Sequence, residues 1–324
     1  VILITTKSGK KGKAKITARF ENIVSTSTQI PDFVDGVDYM DMYNYTMMSQ
    51  YPNRTKEELD LFSDIKMKGT KEGRNKYIYP NVDWYNELFN KSTMDQLLNL
   101  NMSGGGDVAN YYVSANYNHR TGLFKQIDIF DNFNTGIDIN RFNIRSNIDI
   151  RASSTTKVTI NFSGTFEKYQ GPSSSTTDIF NQVVEVNPVL FPMYYEADET
   201  HAGLADRRMF FGNATAGGSG AGYNNPYASL VSSVQDKFNT TMIGTMRLSQ
   251  DLKSITEGLS VLGVASFRTA TGYSGSRGFT PYFYNIAGEA ADGSYTLNMP
   301  PLQEGADYLD QGSVSNTSQY FTYF

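Results

Sequence analysis

Residues 157–166 read KVTINFSGTF, and their alternation decides the fold. Val158, Ile160, Phe162, Gly164 and Phe166 take every second position, with Thr159, Asn161, Ser163 and Thr165 between them. A period of two belongs to a β-strand, whose side chains point to opposite faces in turn, so this strand carries one apolar and one wettable face. The pattern extends outward on both sides. RFNIRSNIDIR sets Phe142, Ile144, Ile148 and Ile150 against Asn143, Arg145, Asn147, Asp149 and Arg151. YYVSANYNH alternates Tyr111, Val113, Ala115 and Tyr117 with Tyr112, Ser114, Asn116 and Asn118, and TMIGTMRLSQDL alternates Met242, Gly244, Met246 and Leu248 with Ile243, Thr245, Arg247 and Ser249. KITARF (Ile16, Ala18, Phe20) and LLNLNMSG (Leu98, Leu100, Met102) fit more loosely, and GLSVLGVASFRT is apolar on both sides. Seven strands are readable between 14 and 271, and SQYFTYF at 318–324 begins an eighth.

The links between strands are informative. Ser103 reaches Tyr111 through GGGD, Ile150 reaches Lys157 through RASSTT, and Leu252 reaches Leu259 through KSITEG. The remaining links are long, at about 25–94, 119–140, 169–238 and 272–318. Short and long connections in strict alternation imply antiparallel strands whose elaborations emerge at one end, the pattern of outer-membrane barrels with short periplasmic turns and long extracellular loops. Within the first long link, DGVDYMDMYNYTMMSQ has helical composition after Gly36, and Thr55 followed by Glu58 reads as a capping box. SSSTTD and GGSGAG read as turns in the third.

Composition agrees with this class. The chain has 324 residues, 28 basic against 33 acidic side chains and a net charge of -5, which argues against nucleic acid as a partner. With no cysteine there is no disulfide framework, thiolate metal site or cysteine nucleophile. The aromatics are 22 Tyr and 20 Phe beside one Trp. No stretch reaches the roughly 18 apolar residues of a membrane-spanning helix, so a bilayer could be crossed only by a closed barrel, which satisfies its backbone in lipid.

Several segments resemble one family in order along the chain. VILITTKSGKKG (1–12) resembles the end of the plug domain of SusC/RagA-type TonB-dependent transporters of Bacteroidota outer membranes. NVDWYNELF (81–89) is similar to that family's segment before the second barrel strand, LNLNMSGGGDVANYYVSANYNHRTGLF (98–124) to its hairpin, and RFNIRSNIDI (141–150) to its next strand. From 170 onward the likeness is one of pattern.

The resemblance implies an all-β fold: an antiparallel transmembrane β-barrel portion of seven to eight strands from a barrel of about 22, which alone would form an open, curved sheet. Residues 1–13 would be the last plug strand and its linker, and 14–324 the N-terminal part of the barrel. The implied activity is import of oligosaccharides or peptides across the bacterial outer membrane. The implied partners are a SusD-like substrate-binding lipoprotein, the TonB–ExbB–ExbD complex and outer-membrane lipid, with no cofactor and no enzymatic activity. Two alternatives stand beside it: a small self-contained barrel, since eight strands can close, and a soluble β-rich carbohydrate-binding module.

The residues have bland readings as well as functional ones. YEADETH (195–201) gathers Glu196, Asp198, Glu199 and His201, where a metal or acid/base site is conceivable and a solvated loop tip is favoured. His119 is the other histidine. The carboxylates of Asp32–Asp41 read as helix-start residues, GGSGAG as a flexible loop, and the lysines of 7–15 as a solvated linker. Tyr111, Tyr117, Phe142, Phe162 and Phe166 are expected to face lipid. Arg145, Asn147, Asp149, Arg151 and Arg247, with Asn161 and Thr165, are expected to face the lumen, the arginines pairing with nearby carboxylates. Trp84, Tyr85, Tyr194, Tyr195, Tyr223 and Tyr227 are the candidates for stacking on substrate, with loop packing as the competing role.

Overall fold

The computed structural model describes residues 7–128, 135–214, 222–299, 305–307 and 309–324. The expected plug strand, Val1–Thr6, lies outside them, as does most of GGSGAG. In chain order the strands are β1 (Gly12–Thr26), β2 (Ser92–Gly105), β3 (Ala109–Thr121), β4 (Asp138–Arg151), β5 (Thr156–Pro172), β6 (Tyr194–Tyr195), β7 (Phe210–Gly212), β8 (Ser233–Asp251), β9 (Ser260–Gly278), β10 (Phe283–Glu289), β11 (Tyr295–Asn298) and β12 (Ser313–Tyr323). Eight of them form one antiparallel sheet in the order β1-β2-β3-β4-β5-β8-β9-β12. The sheet is an open wall: among the described residues β1 pairs with β2 alone and β12 with β9 alone. Among the described residues the eight strands do not close into a barrel.

The strands outrun their expected ends. β9 continues through Gly272, Gly275 and Gly278, because Ser233–Phe238 of β8 and Ser313–Thr317 of β12 offer it hydrogen-bonding partners on both sides. The long links shrink accordingly to 27–91, 122–137, 173–232 and 279–312, all at one end of the sheet. Short turns join β2–β3, β4–β5 and β8–β9 at the other.

The long links fold into a layer of their own. They supply α1 (Gly36–Gln50), α2 (Asp64–Lys71), α3 (Trp84–Leu88), α4 (Thr176–Glu185), α5 (Pro226–Val231) and a second sheet, β11-β10-β7-β6, in which β7 and β10 run parallel. Each helix begins on a side-chain acceptor that satisfies an otherwise unpaired amide. Asp35 Oδ1 accepts from Val37 N (2.8 Å), Ser63 Oγ from Lys66 N (3.2 Å), Asp83 Oδ1 from Asn86 N (3.0 Å), Ser175 Oγ from Asp178 N (3.1 Å) and Asn225 Oδ1 from Ala228 N (3.1 Å). α1 starts where Gly36 was expected to start it, and Glu58 Oε2 accepts from Thr55 N (2.9 Å) at a single 3₁₀ turn. SSSTTD is not a turn: Ser175 within it caps α4.

The buried apolar side chains sit in this layer, not on the wall. One cluster joins Trp84, Leu88, Phe89, Phe124, Ile179, Phe191, Phe211 and Leu230; a second joins Tyr77, Tyr195, Phe210, Tyr284 and Leu297. The NVDWYNELF segment is α3 with its flanks, and its rings staple the first long link to the second and third: Trp84 meets Phe191 edge-on at 5.9 Å and Phe89 meets Phe124 at 5.2 Å, while Tyr85 stacks on Phe89 at 5.0 Å within the link. Asn225 bolts the cluster from inside. It is 1% exposed and spends both amide protons on the carbonyls of Met193 (2.9 Å) and Gly212 (2.8 Å).

Candidate functional site

The wall has two chemically opposite faces, and the register aligns them. Residues directly opposite on antiparallel strands share a face. Phe20, Leu98, Tyr117, Phe142 and Phe166 fall in one transverse row, Ala18, Leu100, Ala115, Ile144, Gly164 and Met242 in the next, and Ile16, Met102, Val113, Ser146, Phe162, Gly244 and Phe267 in the one after, where Ser146 is the one polar side chain. Faces read separately on six strands thus merge into one apolar surface, on which Tyr111, Tyr117, Phe142, Phe162 and Phe166 all lie. From Val158 to Phe166 it spans roughly 27 Å along β5, at about 3.4 Å per residue, close to the apolar band of roughly 25 Å on outer-membrane barrels.

On β1 to β5 the surface ends abruptly. One step toward the long loops the row reads Asn22, Gln96, His119, Asn140 and Lys168, before it turns aromatic again on β8 and β9 at Phe238 and Tyr273. These polar groups bond to one another: Tyr117 donates to Asn140 Oδ1 (2.5 Å), Asn140 bonds Asp138, and His119 Nε2 lies 2.6 Å from Asp138 Oδ2. His119 therefore belongs to the polar border above the aromatic row. Gly244 on the apolar side admits the ring of Phe267, which a Cβ there would overlap.

The opposite face collects Arg145, Asn147, Asp149, Arg151 and Arg247, with Asn161 and Thr165. Asp149, Thr159 and Arg247 share a row; Thr159 Oγ1 donates to Asp149 (2.7 Å) and Lys157 Nζ lies 3.1 Å from it. Arg141 pairs with Glu167. The expected pairing of the other arginines is not seen: among the described residues no carboxylate is within 4 Å of Arg145, Arg151 or Arg247. Asn147 is buried at 7% exposure because its Nδ2 donates to the carbonyl of Lys7 (2.6 Å). The lysine stretch is accordingly not a free linker throughout: Lys7–Gly9 lies on this polar face, Lys11 pairs with Asp107 in the β2–β3 turn, and Lys13 and Lys15 belong to β1.

In the loop layer a cleft of about 280 Å³ is lined by Tyr194, Tyr195, Glu196, Asp206, Arg208 and Phe210. Arg208 anchors its wall. Its Nε and Nη2 donate to Asp307 (2.5 and 3.0 Å), Nη1 to the Tyr284 hydroxyl (3.2 Å), and its guanidinium stacks 3.8 Å over Tyr282. The hydrogen bonds to Asp307 hold the Arg208 proton still more firmly, and reciprocally hold the Asp307 carboxyl below its usual range. Burial pushes the Tyr77 hydroxyl up, and its bond to Glu196 Oε1 (2.8 Å) adds to this; burial pushes Tyr295 up to about 12. The YEADETH segment is solvated at Glu196, Glu199 and Thr200 but not at Asp198. Asp198 is buried, accepting from the amides of His201 (2.8 Å) and Leu297 (2.6 Å) and lying 2.5 Å from His201 Nδ1, so it ties its own loop to β11.

Of the six aromatic candidates, Trp84, Tyr85, Tyr195 and Tyr227 are 4–6% exposed and serve as core. Tyr194 (37%) and Tyr223 (38%) present their rings, the first 5.5 Å from Tyr227 and bordering the cleft. Sequence reasoning missed Arg208, whose partner is 99 residues away.

No family model matches the chain. It is 24% identical over 244 residues to the TonB-dependent receptor P3 of Formosa agariphila, a match covering 73% of this chain and 19% of the relative's length. It superposes on a chain of the solved RagAB peptide transporter with a TM-score of 0.55 and 15% identity, over 85% of this chain and 30% of that one. On the RagAB peptide importer in its closed-closed state the TM-score is 0.44 at 13% identity, over 98% of this chain and 40% of that one. The chain is similar to the SusC/RagA-type TonB-dependent transporters, and the structural likeness at 15% identity is one of fold. It spans about a fifth of the curated relative's length.

Proposed function

We propose that the chain is a stretch of the wall and surface loops of a TonB-dependent importer in the bacterial outer membrane, and not an enzyme. The observation that carries this reading is the single apolar face shared by successive wall strands, bounded on β1 to β5 by a polar row on the side from which the long links emerge. A face of that height and continuity suits lipid, and the charged reverse face suits a wet lumen. Among the described residues no helix is long and apolar enough to cross a membrane, so the strands are the elements available for crossing.

On this reading Arg145, Asp149, Arg151 and Arg247 line the lumen, and the loop layer faces outward, where Tyr194 and Tyr223 offer rings for stacking. Oligosaccharide or peptide is the cargo class, and the similarity to the RagAB peptide transporter favours peptide. A SusD-like lipoprotein over the loop layer and the TonB–ExbB–ExbD complex on the periplasmic side complete the proposed assembly.

Deleting the full gene and restoring it in a TonB-competent and a TonB-deficient host tests this. Restored uptake of labelled peptide or oligosaccharide in the first host alone supports the reading. Uptake indifferent to TonB, or a product recovered outside the outer-membrane fraction, overturns it.

A further inference from the structure

The segment before β1 makes contacts that a spacer does not need. Asn147 buries its side chain to donate to the Lys7 carbonyl at 2.6 Å, and Gly9 lies so close over Tyr111 that a Cβ would overlap that residue's backbone nitrogen and oxygen. Lys11 pairs with Asp107, but both groups are more than two-thirds exposed, so this pair guides more than it holds. The two strong contacts are to β4 and β3, three and two strands in from β1. This placement matters because β1 is poorly secured where the segment enters it. Within the described residues β1 pairs with β2 alone, and its first pairing, Gly12 with Gly105, is followed by a register shift before Lys15 meets Ser103. Tension arriving at Gly12 would load the ladder one hydrogen bond at a time, whereas tension arriving at Lys7 is borne by strands each paired on both sides.

We propose that Asn147 is a positioning residue which, with the close approach at Gly9, clamps Lys7–Gly9 to the polar face, so that displacement of the chain before Lys7 stops there and does not reach β1. The clamp stands on geometry alone; its use, holding the wall still while upstream chain is moved during import, rests on the importer reading.

Trypsin reads the clamp directly, since Lys7 and Lys10 flank it and Lys253, in the β8–β9 turn, is a remote reference site. In the detergent-solubilised full-length protein, Asn147→Leu removes the donor at similar volume, and Gly9→Val denies the close approach without substituting a strand residue. Each variant should raise the cleavage rate after Lys7 and Lys10 about tenfold, the change expected for one lost hydrogen bond to a locally opening segment, while cleavage after Lys253 stays as in the wild type. If Asn147→Leu does not fold, Gly9→Val decides alone. Unchanged cleavage at Lys7 and Lys10, or wild-type cleavage there already as fast as at Lys253, overturns the clamp. Loss of TonB dependence with the cleavage pattern intact would instead count against the importer reading and leave the clamp standing.

Discussion

The wall and the loop layer bury their apolar groups by different means. On the wall, Phe20, Phe142, Ile160, Met246 and Phe267 are 39–61% exposed, uncovered by the other described residues. In the loop layer, Phe124, Phe191, Phe211, Leu230 and Tyr284 are at most 2% exposed, enclosed by residues from all four long links. The wall thus relies on its solvent to complete it, while the loop layer carries its own core. Disturbing the two regions should therefore have different consequences, local collapse in one and failure to insert in the other.

The largest effect is expected inside the loop core. Phe191→Ala should cost the layer about 3–5 kcal/mol, as truncation of a buried ring does, seen as lost hydrogen-exchange protection at Phe210–Gly212 while the wall amides stay protected. Equal loss in both regions would mean that they are one cooperative unit. Next, Ile144→Arg, in the middle of the apolar face, should lower bilayer-folding stability by about 2–4 kcal/mol, whereas Ser163→Arg, one strand away on the reverse face, should change it little. Equal effects would erase the distinction between the faces.

These contrasts also show what the sequence could disclose. The strand faces were legible because each is written locally with a period of two, and pairing then had to bring like faces together. The glycine-rich end of β9 was not, since its strand character comes from partners on β8 and β12. Trp84, Tyr85, Tyr195 and Tyr227 have the composition of a stacking platform and the positions of a core, and an irregular layer has no periodicity to separate the two. Ser175 was misread because a capping serine and a turn serine look alike until the helix after it is seen. Arg208 was invisible because Asp307 and Tyr284 reach it only through tertiary structure.

A smaller effect sharpens the comparison by pH. Asp307 is held below its usual carboxylate range by Arg208, so the stability it supplies is complete above about pH 4, its ordinary range, and is lost as pH falls through the lower folded value. The second sheet of the loop layer should loosen on acidification before the apolar wall does. Asp307→Asn should remove that contribution to the acid dependence and cost about 1.5–3 kcal/mol at neutral pH, the range for charged hydrogen bonds. Lys66 gives the same sign in a higher window. Burial lowers its pKa to about 8, so the docking of α2 should strengthen as pH rises from about 8 toward the ordinary lysine value.

The most direct test places single cysteines along β5, from 157 to 170, in the full-length protein in bilayers; this chain has no cysteine of its own to confuse the label. Nitroxide accessibility to oxygen and to a water-soluble quencher then reports the surroundings of each position. The structure predicts lipid contact at 158, 160, 162, 164 and 166, water contact at the odd positions between them, and water contact at every position from 168 onward. An absence of alternation, or lipid contact on the odd positions, would contradict a wall that crosses the membrane with this face outward.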